Sequence, residues 1–314
     1  MKITIIGHIC LDTILHPDGV ETRSFGGIFF SVVAMANLLG PRDTVYPVFG
    51  VGRDDYEHLM ERLKSYPNID PSGIYKFDGP TNHVRLVYTS AAERVECSKD
   101  ISQPIPLNKI QPYLKVNMIL VNMISGFDIT LETLDEIRME VREHHAPLYL
   151  DVHSITLDLK DDFTREHRPV PEWRRWLFMV HAAQLNEQEA ATLTPERLDD
   201  ASFANHALAL NTNALVITRG EQGCTMFITE HKHVQRHDIA GIPTGPSSVD
   251  PTGCGDVFAA AYCAHYMKTG AMLPSVEFAN RVAAAKARFA GSSEIDSLSS
   301  FRLTELSKER SGVA

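Results

Sequence analysis

The run Asp250-Pro251-Thr252-Gly253-Cys254-Gly255-Asp256 is polar and glycine-rich, and it leads into the apolar stretch Val257-Phe258-Ala259-Ala260-Ala261-Tyr262. Such a run reads as a turn that opens into a helix. Glycines let the backbone turn tightly and approach a ligand closely. The first amides of a helix have no partner within it and point outward as anion donors. Asp256 then stands beside any anion bound there. A carboxylate in that place has a task when it takes a proton from a hydroxyl while the amides of Gly253, Cys254 and Gly255 hold a phosphoryl group. The same letters also suit an ordinary turn with an acidic first helical residue. The turn by itself leaves both readings open.

Further groups have chemical potential of the same kind. Asp12 follows Gly7-His8-Ile9-Cys10-Leu11. A carboxylate at a strand end is a good bidentate acceptor for a vicinal diol, or else a turn cap. Gly26-Gly27 opens an apolar run that ends in Leu38-Leu39-Gly40. Asn186-Glu187-Gln188-Glu189 puts Asn186 and Glu189 on one helical face, a spacing that a capping box also satisfies. Thr218-Arg219-Gly220-Glu221-Gln222-Gly223 lies between two strand-like runs and also suits a plain hairpin. His144-His145 and His231-x-His233 are the closest histidine pairs, and a pair alone does not make a metal site.

Taken together these runs resemble the two signatures of the ribokinase-like (PfkB) family of carbohydrate and nucleoside kinases. The second signature of that family is usually Asp-Thr-x-Gly-Ala-Gly-Asp. Here Pro251 stands for the usual Thr and Cys254 for the usual Ala. The resemblance implies that Asp256 is the catalytic base and that Gly253, Cys254 and Gly255 form the anion hole. It implies that Asp12, Gly26, Gly27 and Ser31 bind the acceptor, with Ser31 in a place where the family usually has Asn. It places Asn186, Thr218, Arg219, Gly220, Gly223 and Asn280 at the nucleotide, and Glu189 at Mg²⁺ through water. Phe29 and Phe30 either add aromatic surface for a nucleobase or pack in the core. Asp151-Val152-His153 stands where the family often has Asp-x-Asn. The implied reaction moves the γ-phosphoryl of ATP to a primary hydroxyl of a ribose-containing substrate, a nucleoside slightly ahead of a free sugar such as ribose or fructose. A non-catalytic sensor of nucleotide or sugar is the remaining alternative. The resemblance also admits a monovalent cation beside ATP and Mg²⁺, and a homodimer; the residues decide neither.

The elements that must position these groups alternate along the chain. Strands are expected at Ile3–Ile9, Val45–Val51, Met118–Ile124, Leu148–Val152 and Ala214–Thr218. Helices are expected at Gly27–Leu39, Asp54–Ser65, from a cap at Thr130, at Asp256–Met267 and at Ser275–Phe289. That alternation predicts a three-layer α/β/α core on a mostly parallel sheet. His83–Ser90 and Glu93–Ser98 read as an antiparallel hairpin, and Leu11–Phe25, with the turn His16-Pro17-Asp18-Gly19, as an irregular segment. Segments of about 12–30 and 80–103 are expected to form a small β-sheet lid on one kinase domain spanning 1–314, with a polar tail after about Leu306.

Composition sets the outer limits. The chain has 314 residues, 44% hydrophobic and 22% charged, enough for a large core. A net charge of −10 argues against a nucleic-acid surface. Five cysteines show no paired short spacing, as expected for a reducing cytoplasm. No apolar run reaches the length of a membrane span, and the first strand is too soon interrupted to be a signal peptide. No G-x-x-x-x-G-K-[ST] loop, G-x-G-x-x-G, H-R-D loop or G-x-S-x-G elbow occurs.

Overall fold

The computed structural model describes residues 1–15, 19–88, 94–243 and 250–303. Strands β1 (Lys2–Ile6), β2 (Ile9–Leu15) and β3 (Glu21–Gly27) precede α1 (Ile28–Leu38), and β4 (Thr44–Gly52) precedes α2 (Arg53–Leu63). Next come β5 (Ile74–Phe77), β6 (Asn82–Tyr88), β7 (Arg94–Lys99), α3 (Leu107–Ile110), β8 (Met118–Asn122) and α4 (Leu131–Arg142). The middle of the chain holds β9 (Leu148–Asp151), β10 (Leu157–Leu159), β11 (Arg165–His167), α5 (Trp173–Phe178), β12 (Ala182–Asn186), α6 (Glu187–Leu193) and α7 (Asp200–Leu208). Then follow β13 (Ala214–Thr218), β14 (Gly223–Glu230), β15 (His233–Ala240), α8 (Cys254–Thr269) and α9 (Met272–Lys286).

Among the described residues, nine strands form one sheet in the order β15-β14-β13-β12-β9-β8-β1-β4-β5. Its pairs are parallel from β13 through β5, and β14 and β15 add antiparallel at one edge. All five residues of β8 are buried, as a parallel strand covered on both faces requires. Every residue of α1 is buried as well, and α1 packs against α8. A helix apolar on all sides belongs inside a large molecule. The Thr130 hydroxyl caps α4 by accepting from the Thr133 amide at 3.1 Å.

The small sheet has the order β3-β2-β6-β7, with β2 and β6 parallel and both outer pairs antiparallel. Ile14 and Leu86 form its own apolar cluster with Val84. The segment expected to be irregular between Leu11 and Phe25 is therefore largely two strands; the turn at 16–18, the hairpin turn at 89–93 and the tail from 304 lie outside the described residues. A second correction concerns the first apolar run. It breaks at Gly7-His8, so the central strand ends at Ile6, and Asp12 lies in the middle of β2 on the small sheet rather than at the end of a core strand.

Candidate active site

Gly253 caps α8 in the left-handed region, with φ 81°. A side chain there would meet the Phe30 ring at 2.6 Å, so both the conformation and the space demand glycine. Asp256 sits one turn into the helix and is buried. The Asn122 side-chain amide, at the end of β8, donates to its Oδ1 at 2.7 Å. Asn122 was not singled out from the sequence; the signal was a polar residue closing an apolar strand. The Cys254 amide donates to the Pro251 carbonyl at 3.1 Å, which withdraws it from the expected anion hole. The amides of Gly253 and Gly255 make no hydrogen bond to any described residue. The donor set is thus narrower than the sequence implied.

Ser31 also needs correction. It is completely buried; its hydroxyl donates to the Asp256 carbonyl at 3.2 Å and accepts from Asn122 at 3.2 Å. It ties α1 to α8 and β8 and presents nothing to an acceptor. Gln184 on β12 is a further unanticipated brace. Its amide donates to Asp151 Oδ2 at 3.2 Å and to the Gly255 carbonyl at 3.1 Å, while Tyr149 donates to its Oε1 at 3.0 Å.

A small cavity of about 60 Å³ brings together Asp12, Gly27, Glu96, His153, Gly253 and Asp256. Asp12 reaches it because Gly26 leaves room: a side chain at Gly26 would lie 1.7 Å from Asp12 Oδ2. His153 holds a left-handed backbone, φ 39°, unusual for a residue with a side chain. Asp12 also lines a second, larger cavity of about 600 Å³ walled by Phe25, Phe29, His58, Arg62 and His83. Phe29 and Phe30 are core residues at 1% exposure that each line one of these cavities.

Behind the turn, a slot of about 160 Å³ lies between Thr218, Gly220 and Gly223 on one side and Phe258, Asn280 and Ala284 on the other. Cys254 and Gly255 form its inner end, so the slot runs to the start of α8. Asn280 donates to the Ala240 carbonyl at 2.9 Å, which fixes its place in the wall. Arg219 points elsewhere: its guanidinium pairs with Asp200 and lies 3.5 Å from Glu187. Asn186 and Glu189 form a full capping box, the Glu189 carboxylate accepting from the Asn186 backbone amide at 2.8 Å and from its side-chain amide at 2.6 Å. Burial, then Glu189 and Asp256, push the Asp151 carboxyl well above its ordinary range. Burial likewise raises the Cys254 thiol to about 11. Among the described residues no three His, Cys, Asp or Glu converge to hold a metal directly. The acidic surroundings of Asp151 suit a hydrated cation carried in on phosphates.

The profile of the pfkB family of carbohydrate kinases matches residues 3–297, and the chain belongs to that family. It is 30% identical over 302 residues to the ribokinase of Bacillus subtilis, covering 90% of this chain and 91% of that protein. It is 26% identical over 277 residues to the cytidine kinase of Thermococcus kodakarensis, covering 85% and 89%. A solved pyrophosphate-dependent kinase in the ribokinase family has the same fold, with TM-score 0.76 and 16% identity over 92% of this chain and 96% of that one. The chain is therefore a phosphotransferase that acts on hydroxyl groups. Kinases of this family generally use ATP and a divalent metal. Among the described residues no helix is long and apolar enough to cross a membrane.

Proposed function

We propose that this kinase transfers the γ-phosphoryl of ATP to the primary hydroxyl of a ribose-containing acceptor, and that the acceptor is a nucleoside. One observation carries the choice. Asp12 stands where the two cavities meet, lining both the small one that holds Asp256 and the 600 Å³ one beyond it. A ribose held by Asp12 through its vicinal hydroxyls fills the small cavity and directs a base into the large one. There Phe25 and Phe29 offer aromatic surface, and His58, Arg62 and His83 offer polar partners. The cytidine kinase relative agrees with this reading. The ribokinase relative supports the second reading, a free pentose, which would leave the larger cavity to solvent.

In the proposed reaction Asp256 takes the proton of the attacking hydroxyl, and Asn122 holds its carboxylate in place. The amides of Gly253 and Gly255 receive the charge that develops on the transferring group. Positioning and charge supply most of the catalysis in phosphoryl transfer, so the rigid turn matters as much as the base. The slot floored by Phe258 and Ala284 takes the adenine, with Thr218, Gly220 and Asn280 at its walls. Glu189 and Asp151 would hold Mg²⁺ through water, and that ion supplies neutralisation of the β and γ phosphates when bound. The small sheet acts as a lid over the acceptor. A coupled assay with Mg-ATP across nucleosides and free pentoses tests the reading. Turnover with nucleosides at kcat/KM well above that with ribose is the expected outcome; the reverse order returns the protein to the sugar kinases.

A further inference from the structure

Lys286 closes the last turn of α9 and is completely buried. A lysine is almost never fully buried unless its ammonium is partnered. Here Nζ donates to the carbonyl of Asp250 at 3.3 Å and to that of Phe289 at 3.2 Å. The rings of Phe289 and Phe30 lie 4.8 and 5.7 Å from it, within the range of cation–π attraction. Both carbonyls belong to segments that shape the phosphoryl-binding turn. Asp250 opens the run that ends at Gly253, and its carboxylate accepts from the amides of Thr252 at 2.9 Å and Gly291 at 2.7 Å. Its own amide reaches the Ala287 carbonyl at 3.4 Å. The ammonium thus sits where the loop before α8 crosses the loop after α9.

Buried carbonyls that converge on one point make a cradle for a monovalent cation. Such an ion is a cofactor that the sequence resemblance admits, yet the residues present do not fit one, because the chain's own ammonium holds the cradle. We propose that Lys286 is a built-in replacement for a monovalent cation. It pins the Asp250 and Phe289 carbonyls, holds Pro251–Gly253 in the shape that aims the Gly253 and Gly255 amides, and sets a fixed positive charge beneath the turn. A compact ammonium with three donors suits that task better than a planar guanidinium. Burial pushes the ammonium's pKa down, and Cys254, Asp250 and Asp256 oppose that shift. Lys286 is a positioning residue: it acts through the turn and does not line the acceptor cavity or the nucleotide slot.

The activity arm of the test rests on the kinase reading; a stability arm does not. In a buffer with tetramethylammonium as the only monovalent cation, the unmodified enzyme turns over at full rate, and added KCl or NH₄Cl leaves that rate unchanged. Lys286→Ala lowers turnover by about a hundredfold, the scale of a small misplacement of the catalytic frame, and K⁺ or NH₄⁺ restores much of it while tetramethylammonium does not. Independently of any acceptor, KCl raises the Tm of Lys286→Ala and leaves the Tm of the unmodified protein where it was. An unmodified enzyme that needs potassium overturns the proposal, even where the variant fails to fold. So does a folded Lys286→Ala whose turnover and Tm both ignore K⁺ and NH₄⁺.

Discussion

Asp256 draws its orientation from Asn122, 134 positions away in sequence and 2.7 Å away in space. Replacing Asp256 by Asn is expected to preserve the fold and lower kcat by about 10²–10⁴, the range of a general base. Asn122→Ala is expected to lower kcat by about tenfold with a small change in acceptor KM, since it frees the carboxylate from its brace without touching the acceptor. Steady-state kinetics on the two variants checks both; near-normal turnover of Asp256→Asn removes the base from the mechanism. The turn before Asp256 and the helix it opens were legible because closely spaced glycines lead directly into an apolar run. Ser31 was misplaced because letters do not reveal which way a hydroxyl points around a helix that is buried on every side. Arg219 was drawn away from the nucleotide slot by Asp200 and Glu187, partners that no local spacing announces.

At the scale of elements, β2 and β3 form one functional unit through the register Cys10↔Gly26 and Asp12↔Ser24. That register lays the Asp12 carboxylate over the bare backbone of Gly26. Gly26→Ala puts a methyl 1.7 Å from Asp12 Oδ2, so the carboxylate must leave its present place in the cavity wall. The expected outcome is a rise in acceptor KM by about tenfold or more with ATP KM unchanged, read from initial rates at varied acceptor and varied ATP. An unchanged acceptor KM would show that Asp12 does not hold the acceptor. The core strands were readable because β1, β8, β9 and β13 are apolar on both faces. The edge strand β15 was missed because it is exposed or half-exposed at every position and shows no buried face to the eye. The small sheet emerged only in part, since its strands come from distant segments and β2 follows β1 after a two-residue break.

Over the whole molecule, gathering Asp151, Glu189 and Asp256 into one buried acidic centre costs stability. Burial, Glu189 and Asp256 raise the Asp151 carboxyl well above its ordinary 3.8. The native state therefore binds that proton more tightly than the unfolded chain. This contribution favours folding while the group is protonated and declines as pH climbs from the ordinary carboxylate range through the raised value. Asp151→Asn is expected to lift Tm by on the order of a few degrees near neutral pH, and the gain should fade on acidification toward the ordinary carboxylate range. Thermal unfolding of both proteins across pH checks this; a gain that persists unchanged in acid would place its origin elsewhere.

The distribution of thiols over the molecule has a practical consequence. Cys10, Cys224 and Cys263 are buried, and burial pushes the Cys254 thiol up to about 11, which disfavours its nucleophilic thiolate. Cys97, half-buried on β7, is the sulfhydryl that a maleimide dye would reach first. The native sequence thus supplies an optical reporter on the small sheet, and its emission offers a direct way to follow that sheet as ligands arrive, without engineering a label.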